Sequence, residues 1–231
     1  MKKLLQYFVI LIFIGLTSQG KLLSQEYFRI NADFTVKIKN SDGQLNLTKG
    51  KVFYDKNYKE LIYEISFPQN EKWLIKDTSL VIFRKDTLYK RTSIPSINEF
   101  TVFHLALNSN LNDFGLKNSI YKINKVEKKK DLVLSYWKIP DQATTTLDHV
   151  IIAKRNNRLE SVIMIGAKSR ILSKQFYKNY EKIGAFEFPL QIVQILYDEN
   201  NKENYQITDF KNIKINDLTN NKLYRIPNNL K

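Results

Sequence analysis

Leu61, Tyr63, Ile65 and Phe67 recur at every second position of the segment Glu60–Phe67. A two-residue period is that of a β-strand with one apolar face. Phe34, Val36 and Ile38 repeat it against Thr35, Lys37 and Lys39, and similar segments return almost to the end of the chain. A chain built this way must bury one face of a sheet. That face either fills an ordinary core or lines a cavity that holds something else.

Turn residues divide the alternating segments. Ser41-Asp42-Gly43 follows the first strand, and Leu45–Tyr54 and Glu60–Phe67 are joined through Asp55-Lys56-Asn57, with Pro68-Gln69-Asn70 closing the second. Trp73–Lys76, Leu80–Arg84 and Leu88–Arg91 read as short strands, followed later by Tyr121–Val126, Asp131–Ile139, Leu147–Lys154 and Leu159–Gly166. Ser169–Tyr177, Leu190–Tyr197 and Tyr205–Ile215 complete an antiparallel meander of about eleven strands. So many short strands at a spacing of roughly ten residues predict a sheet large enough to curl into a sandwich or barrel.

One helix interrupts the meander. Ser96-Ile97-Asn98-Glu99 after Pro95 has the Ser-x-x-Glu spacing of a capping box, which predicts a helix to about Asn108. Ile97, Phe100, Phe103 and Leu107 fall on one side of it, an apolar stripe to lay on the sheet or across its mouth.

The first twenty residues combine Lys2 and Lys3, an apolar run from Phe8 to Leu16, and the small pair Ser18 and Gly20. This is the layout of a secretory signal peptide, and the run is shorter than the roughly 20 residues that span a bilayer. Cleavage is expected after Gly20, with Gln25 a later alternative, which leaves residues 21–231 as a single exported domain. With no cysteine the exported chain relies on its core rather than on disulfides, and it lacks the thiol needed for N-terminal lipidation. The formal charge of +14 favours anionic partners. The lysines are interspersed with acids, and the one dense run, Lys128-Lys129-Lys130, reads as a hairpin tip. Nucleic acid is therefore not an expected partner.

Groups for catalysis are few. His104 reads as a surface or capping histidine on the helix. His149 follows Asp148 in a strand, so the two side chains are expected on opposite faces and apart. No zinc-hydrolase or nucleophile-elbow motif occurs, and seven glycines supply no phosphate loop. No enzyme activity, metal or cofactor is expected. Large apolar material is abundant, with 14 Phe and 13 Tyr.

Three segments resemble the periplasmic lipoprotein carriers, the LolA-like family. The first is Gly50-Lys51-Val52-Phe53-Tyr54, followed by Leu61–Pro68 and by Trp73-Leu74-Ile75-Lys76-Asp77. The second is Phe176-Tyr177-Lys178-Asn179-Tyr180 with Gly184 and Phe188-Pro189-Leu190-Gln191-Ile192, and the third runs from Ile213–Asp217 to Leu223–Pro227. The resemblance covers about residues 27–228 and implies a mainly β fold, one curved antiparallel sheet forming a half-open barrel with helices as a lid. The family's turn glycine is Thr78 here. Its functional arginine has no counterpart, and Lys56 and Lys59 are the nearest basic residues and the candidates for partner contact.

The resemblance implies a soluble monomeric carrier that shields the acyl chains of lipoproteins, or other lipids, between an inner-membrane transporter and an outer-membrane acceptor. A sensor or interaction module of the envelope that kept the fold and lost transport is the alternative. Alternation nominates Leu61, Tyr63, Ile65 and Phe67 as cavity-lining residues, with Phe34, Val36, Ile38, Trp73, Leu80, Ile82 and Ile163 beside them. From the helix come Phe100, Phe103 and Leu107, whose stripe is expected to act as a movable cover.

Overall fold

The computed structural model describes residues 27–94, 101–140 and 147–226. Strands β1 (Arg29–Lys39), β2 (Leu45–Asp55), β3 (Glu60–Phe67), β4 (Glu71–Lys76), β5 (Ser79–Arg84) and β6 (Thr87–Ser93) form one arm of a meander. The second arm is β7 (Lys122–Lys129), β8 (Leu132–Lys138), β9 (Leu147–Arg155), β10 (Arg158–Gly166), β11 (Ile171–Ile183), β12 (Phe186–Tyr197) and β13 (Glu203–Ile215). There are thirteen strands among the described residues, one for each alternating segment named from the sequence, so the figure of about eleven undercounted them. Tight turns make so many strands possible: Lys85-Asp86 and Asn156-Asn157 take the left-handed conformations that a two-residue hairpin requires.

All thirteen strands belong to one antiparallel sheet, in the order β6-β5-β4-β3-β2-β1-β13-β12-β11-β10-β9-β8-β7. The first and last strands meet in the middle, with Phe34 opposite Phe210. β6 and β7 are the two edges and do not pair with each other, so the sheet is not closed into a barrel.

A single apolar cluster contains both Ile75 of β4 and Trp137 of β8. In a flat sheet these strands would lie roughly 43 Å apart at ~4.8 Å per strand, so the sheet curls around a shared interior. Its inner face carries Ile30, Ala32 and Phe34 of β1, Val52 and Tyr54 of β2, and Val150 and Ile152 of β9. The alternate residues of each strand face outward.

The connection between the two edges of the sheet, described from residue 101 to Tyr121, contributes to that interior. It holds helix α1 (Val102–Leu107) and two 3-10 turns at Leu111–Asp113 and Leu116–Asn118. Thr101 caps α1 by accepting from the His104 N–H at 3.2 Å. The expected helix start at Ser96–Glu99, with Ile97 and Phe100, lies outside the described residues. The expectation of a one-sided stripe is corrected: Val102, Phe103, Leu105, Ala106 and Leu107 are all buried.

At two places the local backbone explains the sequence. Gly50 sits at a bulge where a Cβ would lie 2.1 Å from the Glu64 carbonyl oxygen, so no side chain fits there. The extra residue of that bulge, Ser66, reverses the alternation of β3 beyond Ile65.

Candidate functional site

The inner face is built from the seam outward. Phe103 of α1 stacks on Phe188 with ring centres 5.9 Å apart and on Tyr54 at 6.5 Å, and meets Phe210 edge-on at 5.3 Å. Phe188 and Phe210 also meet edge-on at 5.6 Å. These aromatic contacts bring together β2, β12, β13 and the helix. The Tyr54 hydroxyl lies 2.7 Å from His104 Nδ1, which ties the helix to the sheet. Asn108 Nδ2 donates to the His104 carbonyl at 2.8 Å. His104 is thus an anchoring side chain rather than a surface one.

The apolar face continues along the sheet as the alternation requires. Phe34 and Tyr63 pack edge-to-face at 5.3 Å, and Val36, Trp73 and Leu80 lie against the same cluster. Desolvation pushes the Tyr63 phenol up to about 12, so it stays neutral at physiological pH. Ile82 stands opposite Trp73, and Ile38 two residues along β1 from Val36, both half-buried. Of the nominated residues, Phe34, Leu61, Ile65, Phe103 and Leu107 lie deep in the interior, while Val36, Ile38, Tyr63, Trp73, Leu80 and Ile82 form its shallower part.

Two nominations fail on geometry. Ile163 faces outward, because its neighbours Val162 and Met164 hold the inner face of β10. Ser161–Ile165 is apolar at nearly every position, so alternation carries no information there. Phe67 is 46% exposed and stands opposite the outward-facing Lys49, since the Ser66 bulge turns it out of the inner row. Phe100 lies outside the described residues. Lys56 and Lys59 both occupy the β2–β3 turn, where the Lys56 N–H donates to the Phe28 carbonyl at 2.8 Å.

Polar groups absent from the sequence reading complete the face. Gln206, Gln194 and Gln175 are direct cross-strand neighbours on β13, β12 and β11, bracketed in the same row by Ile38 and Val162. The Tyr177 hydroxyl donates to Gln175 Oε1 at 2.8 Å. On the other arm, Glu71 accepts from Trp73 Nε1 at 2.7 Å, Gln69 Nε2 at 2.8 Å and Arg84 Nε at 2.6 Å. Desolvation opposes ionisation of Glu71, but these bonds hold its carboxyl below the usual range. The inner face is therefore apolar at its centre with hydrogen-bonding groups at its flanks. Their signal in the sequence was a glutamine at the inward position of three separate strands, which gains meaning only with the register.

Among the described residues no group of three or more His, Cys, Asp or Glu side chains is placed to hold a metal. His149 Nδ1 does approach Asp148 Oδ2, at 2.8 Å, against the expectation that strand neighbours stay apart. The register of β9 against β10 shifts at this end, with Leu147 opposite Gly166, and adjacent side chains can converge there.

No protein-family model matches the chain, and no curated protein matches its sequence. Solved structures do match its shape. A LolA superfamily protein from Nitrosomonas europaea superposes with a TM-score of 0.56 at 16% identity, covering 88% of this chain and 92% of that one. A DUF1329 family protein from Desulfovibrio piger gives 0.59 at 13% identity, over 87% and 91% of the two chains. A domain from Vibrio parahaemolyticus described as an outer membrane lipoprotein-sorting protein gives 0.60 at 10% identity, over 90% and 94%. The resemblance to LolA-like proteins holds as a likeness of fold across nearly the whole chain.

Proposed function

We propose that the protein is a soluble, non-enzymatic periplasmic carrier that holds acyl chains, those of lipoproteins or of other lipids, against the inner face of its sheet. The observation that carries this reading is the continuous inward row from Phe34 and Val36 through Tyr63 and Trp73 to Ile82, whose members beyond Phe34 are only half-buried. Each buried CH₂ contributes roughly 0.8 kcal/mol, so a few acyl carbons are enough for useful affinity. In this reading residues 1–20, or at the latest 1–25, are removed on export, and the monomer passes its cargo from an inner-membrane transporter to an outer-membrane acceptor. The match in shape to a lipoprotein-sorting domain supports the cargo class.

Phe103 occupies the apolar centre of the site, and so α1 acts as the stand-in for ligand in the empty protein. Exchange of helix for acyl chain keeps apolar surface covered throughout, and only the difference between the two contacts sets the populations. Phe103→Glu favours the open form and raises binding of a fluorescent fatty acid. Hydrogen exchange over residues 101–115 is then fast and lipid-dependent. Exchange there as slow as in β1 and β13, with or without lipid, rules out the moving cover.

The carrier reading itself is tested by mass spectrometry of lipid extracted from protein purified from its native envelope, combined with displacement of the fluorescent fatty acid. Bound acyl lipid and competitive displacement are expected. Protein that carries no lipid and displaces no probe sinks the reading.

A further inference from the structure

The outer face of the sheet is apolar over a wide area that the carrier function does not use. From β13 to β8 one cross-strand row reads Tyr205, Ile195, Lys174, Ile163, Ile151, Tyr136. The next row brings Ile207, Val193 and Phe176 side by side, with Ala153 and Leu134 beyond Ser161. None of the large side chains in these rows belongs to either buried cluster of the protein. Strands that read as apolar on both faces are normally covered on both.

Charge identifies what covers this face. The two rows contain or end on Lys37, Lys39, Lys125 and Lys174, with Lys122, Lys138 and Lys178 in the adjoining rows. Against them stand the acids Glu127, Asp209 and Glu203, of which Asp209 lies 3.6 Å from Lys37 and Glu127 2.6 Å from Lys125, so the face keeps an excess of positive charge. Lys37 and Lys125 are each about 60% exposed, and Lys174 reaches over the Tyr197 ring at 5.2 Å. A second copy of the chain stacked on this face would bring like charges together. Isoleucine and phenylalanine between lysines, with tyrosines at the margins, match the boundary of a bilayer instead. There tyrosine sits at headgroup level and lysine meets lipid phosphate.

We propose that the outer face of β8–β13 docks the protein on an anionic lipid bilayer. The contact is distinct from acyl-chain binding on the inner face and does not depend on it. Docking is electrostatic at long range and apolar at contact, so it weakens as salt shortens the screening length.

The test is flotation of the purified protein with vesicles of phosphatidylcholine alone or mixed with an equal amount of phosphatidylglycerol. Fatty-acid displacement is measured on the same samples. The protein is expected to float with the mixed vesicles at low salt and to be released at high salt. Ile195→Glu and Lys174→Glu each lower its partitioning at least about fivefold, the effect of one lysine near an anionic surface. Both leave displacement unchanged, which separates a failure of docking from a failure of the carrier site. Lys85→Glu, on the β5–β6 turn, makes the same change of charge away from this face and leaves flotation as it was. Equal flotation with neutral vesicles, or as large a loss with Lys85→Glu, overturns the proposal. So does a dimer in solution that Ile195→Glu converts to monomer. If Ile195→Glu lowers the melting temperature, Lys39→Glu decides, and unchanged flotation of that variant counts against docking.

Discussion

The outer face carries two apolar patches, and the protein treats them differently. On β2–β5, Phe53, Ile62, Leu74 and Val81 are at most 5% exposed, because the chain after β13 folds back and inserts Tyr224 and Ile226 among them. On β8–β13 the strip stays half-buried, and Tyr205 is 37% exposed. The covered patch is also held down by charge. Arg29 and Asp55 form a buried ion pair at 2.7 Å, and the Arg29 guanidinium lies 4.8 Å from the Tyr224 ring. Glu60, fully buried, accepts from Lys76 at 3.1 Å and from the Ile226 N–H at 2.8 Å. An apolar patch that serves only stability is sealed by the chain itself. The other patch, bordered by Lys37, Lys39 and Lys125 with fewer acids between them, joins neither buried cluster of the described residues.

Removing a charge beneath the tail is the most damaging way to break this contrast. Asp55→Ala leaves Arg29 buried without its carboxylate and costs about 3–5 kcal/mol, read as a fall in the urea unfolding midpoint. Tyr224→Ala removes the ring that meets Phe53 edge-on at 5.5 Å, and the cavity it leaves costs about 3 kcal/mol. Phe176→Ala on the open strip costs about 1 kcal/mol, in the range of partly exposed sites. A cost for Phe176→Ala as large as for Tyr224→Ala, in chemical unfolding of both variants, would show that the strip is covered after all.

The smallest effect concerns Asp33, which faces outward on β1 near the covered patch. Hydrogen bonds from Lys51 and Asn212, both at 2.6 Å, hold its carboxyl below the usual range. A depressed folded-state value means that the stabilisation is present above the ordinary carboxylate value near 4 and is lost as pH falls through the folded value. The side chain is 35% exposed, so solvent screening keeps the contribution below about 1 kcal/mol. The difference between wild type and Asp33→Asn is expected to be constant from neutral pH down to about 5 and to shrink below 4. A difference that persists unchanged in strong acid excludes the linkage.

Much of the inner face was legible in advance. Strand positions from β1 to β8 follow from period-two alternation and turn chemistry, those of β9 and β10 from apolar runs between turns, and Glu60–Phe67 matches to the residue. β11 and β12 run longer than expected because their ends, Lys178–Ile183 and Phe186–Pro189, pair with each other. Alternation located Phe34, Val36, Tyr63, Trp73 and Leu80 on the right side, where polar residues mark the other face. It failed at Ile163 because both faces of β10 are apolar, and at Phe67 because one bulged residue reverses every position that follows.

The sequence by itself determined that this chain makes an extensive antiparallel sheet with one apolar side, since local alternation and turn residues act over a few residues and need no distant partner. Only the tertiary structure decided how far that sheet curls, which of two apolar faces becomes the interior of β9 and β10, and that Tyr224 rather than a neighbouring strand seals Phe53 and Ile62. It also decided that Gln175, Gln194 and Gln206 stand in one row. These outcomes depend on the register between strands distant in sequence and on the choice between partners of equal hydrophobicity. Burial is nondirectional, so an apolar side chain alone does not specify which surface it meets.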